Sequence, residues 1–186
     1  NRILIDVVMG ALRKAMSYIF VKKRFQRIFM GLNPGLRTGL AVFGDDIFLE
    51  SYEFIEINDL LRAIRKIVDD YDPENVIIKV GNGDVPHRNM IINDLFKDYR
   101  VFLVDENRTT QMKNRNVEAA KKIAFLKGKE IKRRMRTRIS DGEIREIQRK
   151  SRIESNNLLT ISRALALKVL RGEMDIKKAI EIQKEK

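Results

Sequence analysis

Residues 29–43 restrict what this chain can fold into more than any other stretch. Two short apolar runs flank Asn33-Pro34-Gly35-Leu36-Arg37-Thr38, where proline fixes φ and glycine supplies the freedom of a tight reversal, so the segment reads as strand, turn, strand. Gly44-Asp45-Asp46 predicts a second hairpin turn, followed by a third strand over 47–54. Asn58 or Asp59 is then placed to cap a helix whose Leu60, Leu61, Ile64, Ile67 and Val68 share one face, ending before Pro73. Val76-Ile77-Ile78-Lys79-Val80 reads as a buried parallel strand, a helix is expected from about His87 to Tyr99, and Val101-Phe102-Leu103-Val104 supplies a fifth strand. Three adjacent strands followed by helix, strand, helix, strand predict an α/β fold in which an antiparallel three-strand meander is extended by parallel strands.

Past Thr110 the pattern is helical. A helix over 119–126 is expected to end at Gly128, Ser140-Asp141-Gly142-Glu143 is a capping box, a helix over 158–170 is expected to end at Gly172, and Asp175 caps a last helix. Residues 129–138 are densely basic and predict a solvated, mobile, phosphate-seeking stretch. At the other end, Leu4, Val8, Leu12, Ala15 and Ile19 recur at helical spacing, which predicts a helix docking on the body or on a partner, including a second copy of the chain. Asp6, Arg13 and Lys14 interrupt that apolar segment too early for a membrane span, so no membrane partner is expected. The divisions expected are an N-terminal helical segment over 1–28, a core over 29–127, and a basic linker with C-terminal helices over 128–186. At 186 residues and 44% hydrophobic content the chain can bury one substantial core. It has no cysteine and one histidine, His87, so disulfides, thiolate metal sites and multi-histidine zinc sites are excluded, and a cytoplasmic protein is the plain expectation. The sequence opens on Asn1 rather than Met, so a piece of a longer protein is expected.

The formal net charge is +12, and it is unevenly placed. Residues 1–28 hold seven basic side chains against one acidic, 29–112 hold nine against fifteen, 113–152 hold fifteen against five, and 153–186 hold seven against five. Basic arms flank an acidic centre. That distribution suits a protein whose arms grip a phosphate backbone while central carboxylates face a metal or a phosphate. The competing explanation is a thermophile-like charged surface.

Four motifs carry a resemblance. Residues 31–39, then Val80-Gly81-Asn82-Gly83 with Arg88 beyond it, then Val104-Asp105-Glu106-Asn107-Arg108-Thr109-Thr110, together with the later Thr160-Ile161-Ser162-Arg163-Ala164-Leu165, resemble the YqgF/RuvC superfamily in order and spacing. Some look most like the YqgF-type domain of the transcription accessory protein Tex, others like free-standing YqgF. The resemblance implies an RNase H-like fold and nucleic-acid handling. In active relatives, acids at the end of the first strand, after a later central strand and on a late helix hold divalent metal for phosphodiester hydrolysis. Here the first position is Asn33, a neutral oxygen ligand. The second is matched by Glu106, with Asp84 and Asp105 nearby, while Ser162 and Arg163 stand where the late acid is expected and Glu154 lies a few turns earlier. A Mg²⁺ or Mn²⁺ site built on Glu106 and Asp84 is therefore expected to be degenerate. Removing one carboxylate from a metal clamp removes several kcal/mol of transition-state stabilisation, and about 1.4 kcal/mol is a tenfold rate change.

The expected function is binding of DNA or RNA with nuclease activity lost or residual. Arg37, Arg88, Arg108 and Arg163 lie in or beside the motifs, Arg133, Arg134, Arg136 and Arg138 on the basic linker, and Arg145, Arg149 and Arg152 at i, i+4, i+7 on one helix. Two rivals stand beside it: a structure-selective metal-dependent nuclease using Asp84, Glu106 and Glu154, and a protein-interaction scaffold. His87 is expected at the surface or at a helix start, Gly81-Asn82-Gly83-Asp84 serves as a turn or as a phosphate cradle, and the arginine stripe is equally compatible with a solvated helix face.

Overall fold

In the computed structural model, residues 2–21, 24–105, 116–136 and 139–185 are described. Strands β1 (Arg27–Asn33), β2 (Thr38–Gly44) and β3 (Ile47–Phe54) form the expected antiparallel meander, with Asn33 opposite Gly39 and Ile28 opposite Gly44. The β2–β3 turn works because Asp45 and Asp46 both take left-handed backbone, φ 44° and 72°. The Asp45 carboxylate repays that by accepting the Gln26 and Arg27 N–H groups at 3.0 and 2.8 Å. β4 (Asn75–Gly81) lies parallel to β1, β5 (Arg100–Val104) parallel to β4, and β6 (Gly128–Glu130) antiparallel to β5. The strand order β3-β2-β1-β4-β5-β6 is an RNase H-like mixed sheet.

Alternation along β1 assigns the two faces. Ile28, Met30 and Leu32 are fully buried on one side, against Leu60, Ile64 and Ile67 of α2 (Ile57–Tyr71) and Ile91, Ile92 and Leu95 of α3 (Val85–Leu95). On the other side α4 (Asn116–Ile123) rests on bare backbone: a Cβ at Gly31 would sit 1.9 Å from the Ala120 carbonyl oxygen, and one at Gly39 would sit 2.2 Å from that of Asn116. Glycine at those two positions therefore sets how closely α4 approaches the sheet.

α1 (Arg2–Val21) runs beside α2, but with the expected apolar stripe turned away: Val8, Leu12 and Ile19 are exposed. Gly10, Arg13 and Ser17 face the body instead. The reason is electrostatic. Arg13 is buried and donates from Nε and Nη2 to the two Glu50 carboxylate oxygens, each at 2.9 Å, and from Nη1 to Asp70 at 2.7 Å, while Tyr52 hydrogen-bonds the same Glu50. Glu50 and Asp70 hold the guanidinium firmly charged against the opposing cost of its burial.

α5 (Asp141–Glu154), α6 (Arg163–Leu170) and α7 (Ile176–Lys184) enclose a core of their own, formed by Ile144, Ile147, Leu165, Val169 and Ile180 among others. The Ser140–Glu143 capping box and the Asp175 cap form as expected. This bundle joins the body through Leu36, which packs on its core, and through the Gly172 carbonyl, which accepts the Ile57 N–H at 3.2 Å. That last bond serves the start of α2, whose N-cap Glu56 makes no side-chain cap, so neither Asn58 nor Asp59 has the capping role expected of them. Other boundaries differ as well. α3 starts two residues earlier than expected, because Asp84 caps it and Pro86 fits its first turn. Gly128 opens the short edge strand β6 rather than ending a helix. The last helix before Gly172 begins only at Arg163, where Ser162 accepts the Leu165 N–H.

Candidate nucleic-acid interface

Parallel pairing of β1, β4 and β5 brings their carboxyl ends together: Leu32 lies beside Val80, and Gly81 beside Val104. Asn33, Asn82, Asp84 and Asp105 therefore follow strand ends on one edge of the sheet, where open α/β sheets place their ligands. Next to that edge lies a cleft of about 630 Å³ between the sheet and the bundle, lined by Gly35, Leu36 and Arg37, by Asp84 and His87, and by Lys150, Glu154 and Lys177. Glu106, Arg108 and Arg138 lie outside the described residues.

Asp84 is held by its own helix. Its carboxylate accepts the His87 N–H at 3.3 Å and faces His87 Nδ1 at 2.9 Å. Burial alone would raise its pKa, but the hydrogen bonds and charge of His87, with Lys150 nearby, carry it below the usual carboxylate value. His87 does start a helix as expected, yet it is not at the surface: it is 1% exposed and braces the turn after β4. The signal was present in the sequence as an i, i+3 Asp-His pair after a glycine turn. Glu154 is exposed and pairs with Lys177 at 3.7 Å, and Asp175, also on the cleft, caps α7. Among the described residues no three acidic or histidine side chains gather closely enough to hold a metal ion. On the cleft the Asp84, Glu154 and Asp175 carboxylates are each already engaged, by His87, by Lys177 and by the start of α7.

The cations divide into engaged and free. In the exposed stripe of α5, Arg149 forks onto Glu146 at 2.9 and 2.8 Å and Arg152 donates to Thr160 at 3.0 Å, while Arg163 pairs with Asp141 at 2.7 Å. Arg145 and Arg37 are exposed without a salt bridge among the described residues. Arg88 is buried, donates to Asn82 and Asn89, and its burial lowers its pKa.

The basic linker is held in place. Asn93 accepts the Met135 N–H at 2.7 Å and donates to the Met135 carbonyl at 2.9 Å, and Asn89, one turn earlier in α3, donates to the Arg136 carbonyl at 2.5 Å. The chain therefore runs along α3 toward its Asp84 end. Arg133, Arg134 and Arg136 project from it, exposed and without a salt bridge among the described residues.

Residues 140–185 match a family described as a three helical bundle domain, a span that coincides with α5, α6 and α7. No curated protein and no solved structure matches the chain.

Proposed function

We propose that this chain binds nucleic acid as a YqgF/RuvC-type RNase H-like domain whose metal site is degenerate and whose nuclease activity is weak or absent. The observation that carries this reading is the clamped linker: three arginines without a carboxylate partner among the described residues, carried on a backbone that two asparagines anchor, and leading toward the carboxyl edge of an RNase H-like sheet. Arginines carried on an anchored backbone lose less entropy when they meet phosphates than those on a mobile one. The sheet-end position of Asn33 and the engagement of Asp84 and Glu154 support a binding rather than a cutting role.

The test is a panel of junction, duplex and single-stranded substrates with Mg²⁺ and with Mn²⁺. Binding with little or no cleavage is expected. Asn33→Asp should raise Mn²⁺ affinity in calorimetry without restoring turnover, because Ser162 and Arg163 stand where the resemblance expects the late-helix acid. Robust cleavage by the native chain, abolished by Glu106→Ala, would transfer the protein to the nuclease class.

A further inference from the structure

The sheet face that α4 covers only in part carries a row of aromatic rings that the sheet-end cleft does not use. Phe48, Phe43 and Phe29 are neighbours across β3, β2 and β1. Phe125, just beyond α4, packs edge-on to Phe43 at 4.6 Å and lies 6.4 Å from Phe29, and Phe43 meets Phe48 at 5.4 Å. Phe43 is buried beneath the others, but Phe48 and Phe125 are 44% and 50% exposed. Two adjacent half-bare phenyl rings are unfavourable in water unless something covers them.

The charges around the rings say what does. Lys121 Nζ lies 4.4 Å from the Phe48 ring centre, and Arg27 Cζ and Lys79 Nζ lie 5.5 and 5.9 Å from that of Phe29. Lys121 is shared with Glu118 at 3.0 Å, whereas Arg27 and Lys79 have no carboxylate partner among the described residues. In the β2–β3 turn the Asp45 carboxylate is committed to the Gln26 and Arg27 backbone N–H groups. Exposed flat rings beside uncompensated cations complement a polyanion that carries flat apolar faces. An apolar peptide would cover the rings and leave Arg27 and Lys79 without counter-charge.

We propose that this face is a stacking platform for unpaired nucleotides, with bases on Phe48 and Phe125 and the backbone phosphates near Arg27 and Lys79. It rests on the nucleic-acid reading above and narrows the ligand to single-stranded segments, since a duplex hides its base faces. The platform lies on a sheet face, apart from the cleft at the strand ends, so one strand has two places to be held.

The chain contains no tryptophan, so Phe125→Trp makes a single indole reporter. In the full chain at low salt, oligodeoxythymidylate should quench its emission and inorganic polyphosphate should not. Phe48→Ala with Phe125→Ala should weaken oligodeoxythymidylate binding about tenfold or more. It should leave the salt dependence of binding unchanged, because no cation is removed. Oligonucleotide binding with an unresponsive indole, or with undiminished affinity in the double variant, overturns the platform alone. Equal quenching by polyphosphate overturns it too, as does quenching that grows with protein concentration alongside a doubled mass, which assigns the face to contact between copies. Absence of any oligonucleotide binding by the parent chain overturns the nucleic-acid reading itself.

Discussion

Removing the Arg13 side chain leaves Glu50 and Asp70 facing each other without their cation inside a poorly solvated seam. Breaking a buried pair from one side costs about 3–5 kcal/mol. Arg13→Met is therefore expected to lower the unfolding free energy read from urea titration by that amount, and Arg13→Met with Glu50→Leu to recover part of it; an unchanged unfolding free energy in the single variant would show that α1 does not depend on this arginine. Asp84 gives the complementary test in pH. Its folded pKa is depressed, so its contribution is present above the unfolded value of about 3.8 and disappears as pH falls through the lower, folded one. Asp84→Asn should thus cost about 1 kcal/mol at neutral pH, with the difference from the parent shrinking below about pH 4 in denaturant titrations. A gap that widens in acid would contradict the assigned direction.

Single asparagines decide the behaviour of a whole element in the linker. Asn93→Ala removes both side-chain bonds to Met135, and trypsin should then cleave between 133 and 136 faster than in the parent while the sheet stays intact; equal cleavage rates would mean that the linker holds itself. Such bonds explain what the sequence could and could not announce. The strands and their turns were legible, because Pro34, Gly35 and the Asp45-Asp46 pair act on backbone nearby. The linker clamp was not, since Asn93 and Met135 are distant along the chain and nothing in either residue names the other. β6 was missed for a related reason: Gly-Lys-Glu has no alternation, and only the open edge of β5 makes it a strand. The apolar spacing of α1 announces a helix but not which side meets the body, because the buried Arg13, rather than the apolar stripe, orients it. At the candidate site the strand-end convergence of Asn33, Asp84 and Asp105 followed from the topology. The engagement of Asp84 by His87 depended on side-chain geometry that spacing alone only hints at.

At the scale of the whole molecule, a charge of +12 is spread over two kinds of surface: α5 and its neighbours, where Glu146 and Asp141 already answer Arg149 and Arg163, and the clamped linker with the aromatic face, where Arg133, Arg134, Arg136, Arg27 and Lys79 have no salt bridge among the described residues. A merely charged surface and a phosphate-binding one therefore differ in a measurable way. If counterions are displaced by phosphates, log K should fall linearly with log salt at about 0.7 per phosphate contacted on a single strand, and by less when the free cations are removed. The measurement that tests this most directly is fluorescence anisotropy of a labelled single-stranded oligonucleotide against the full chain at several salt concentrations, with Arg133, Arg134 and Arg136 changed to Gln in parallel with Arg149 and Arg163 changed to Gln. A steep salt slope is expected for the parent, a slope shallower by about 2 in the linker variant, and a slope close to the parent's in the paired-arginine variant. Equal slopes in all three proteins, or no binding at low salt, would contradict it.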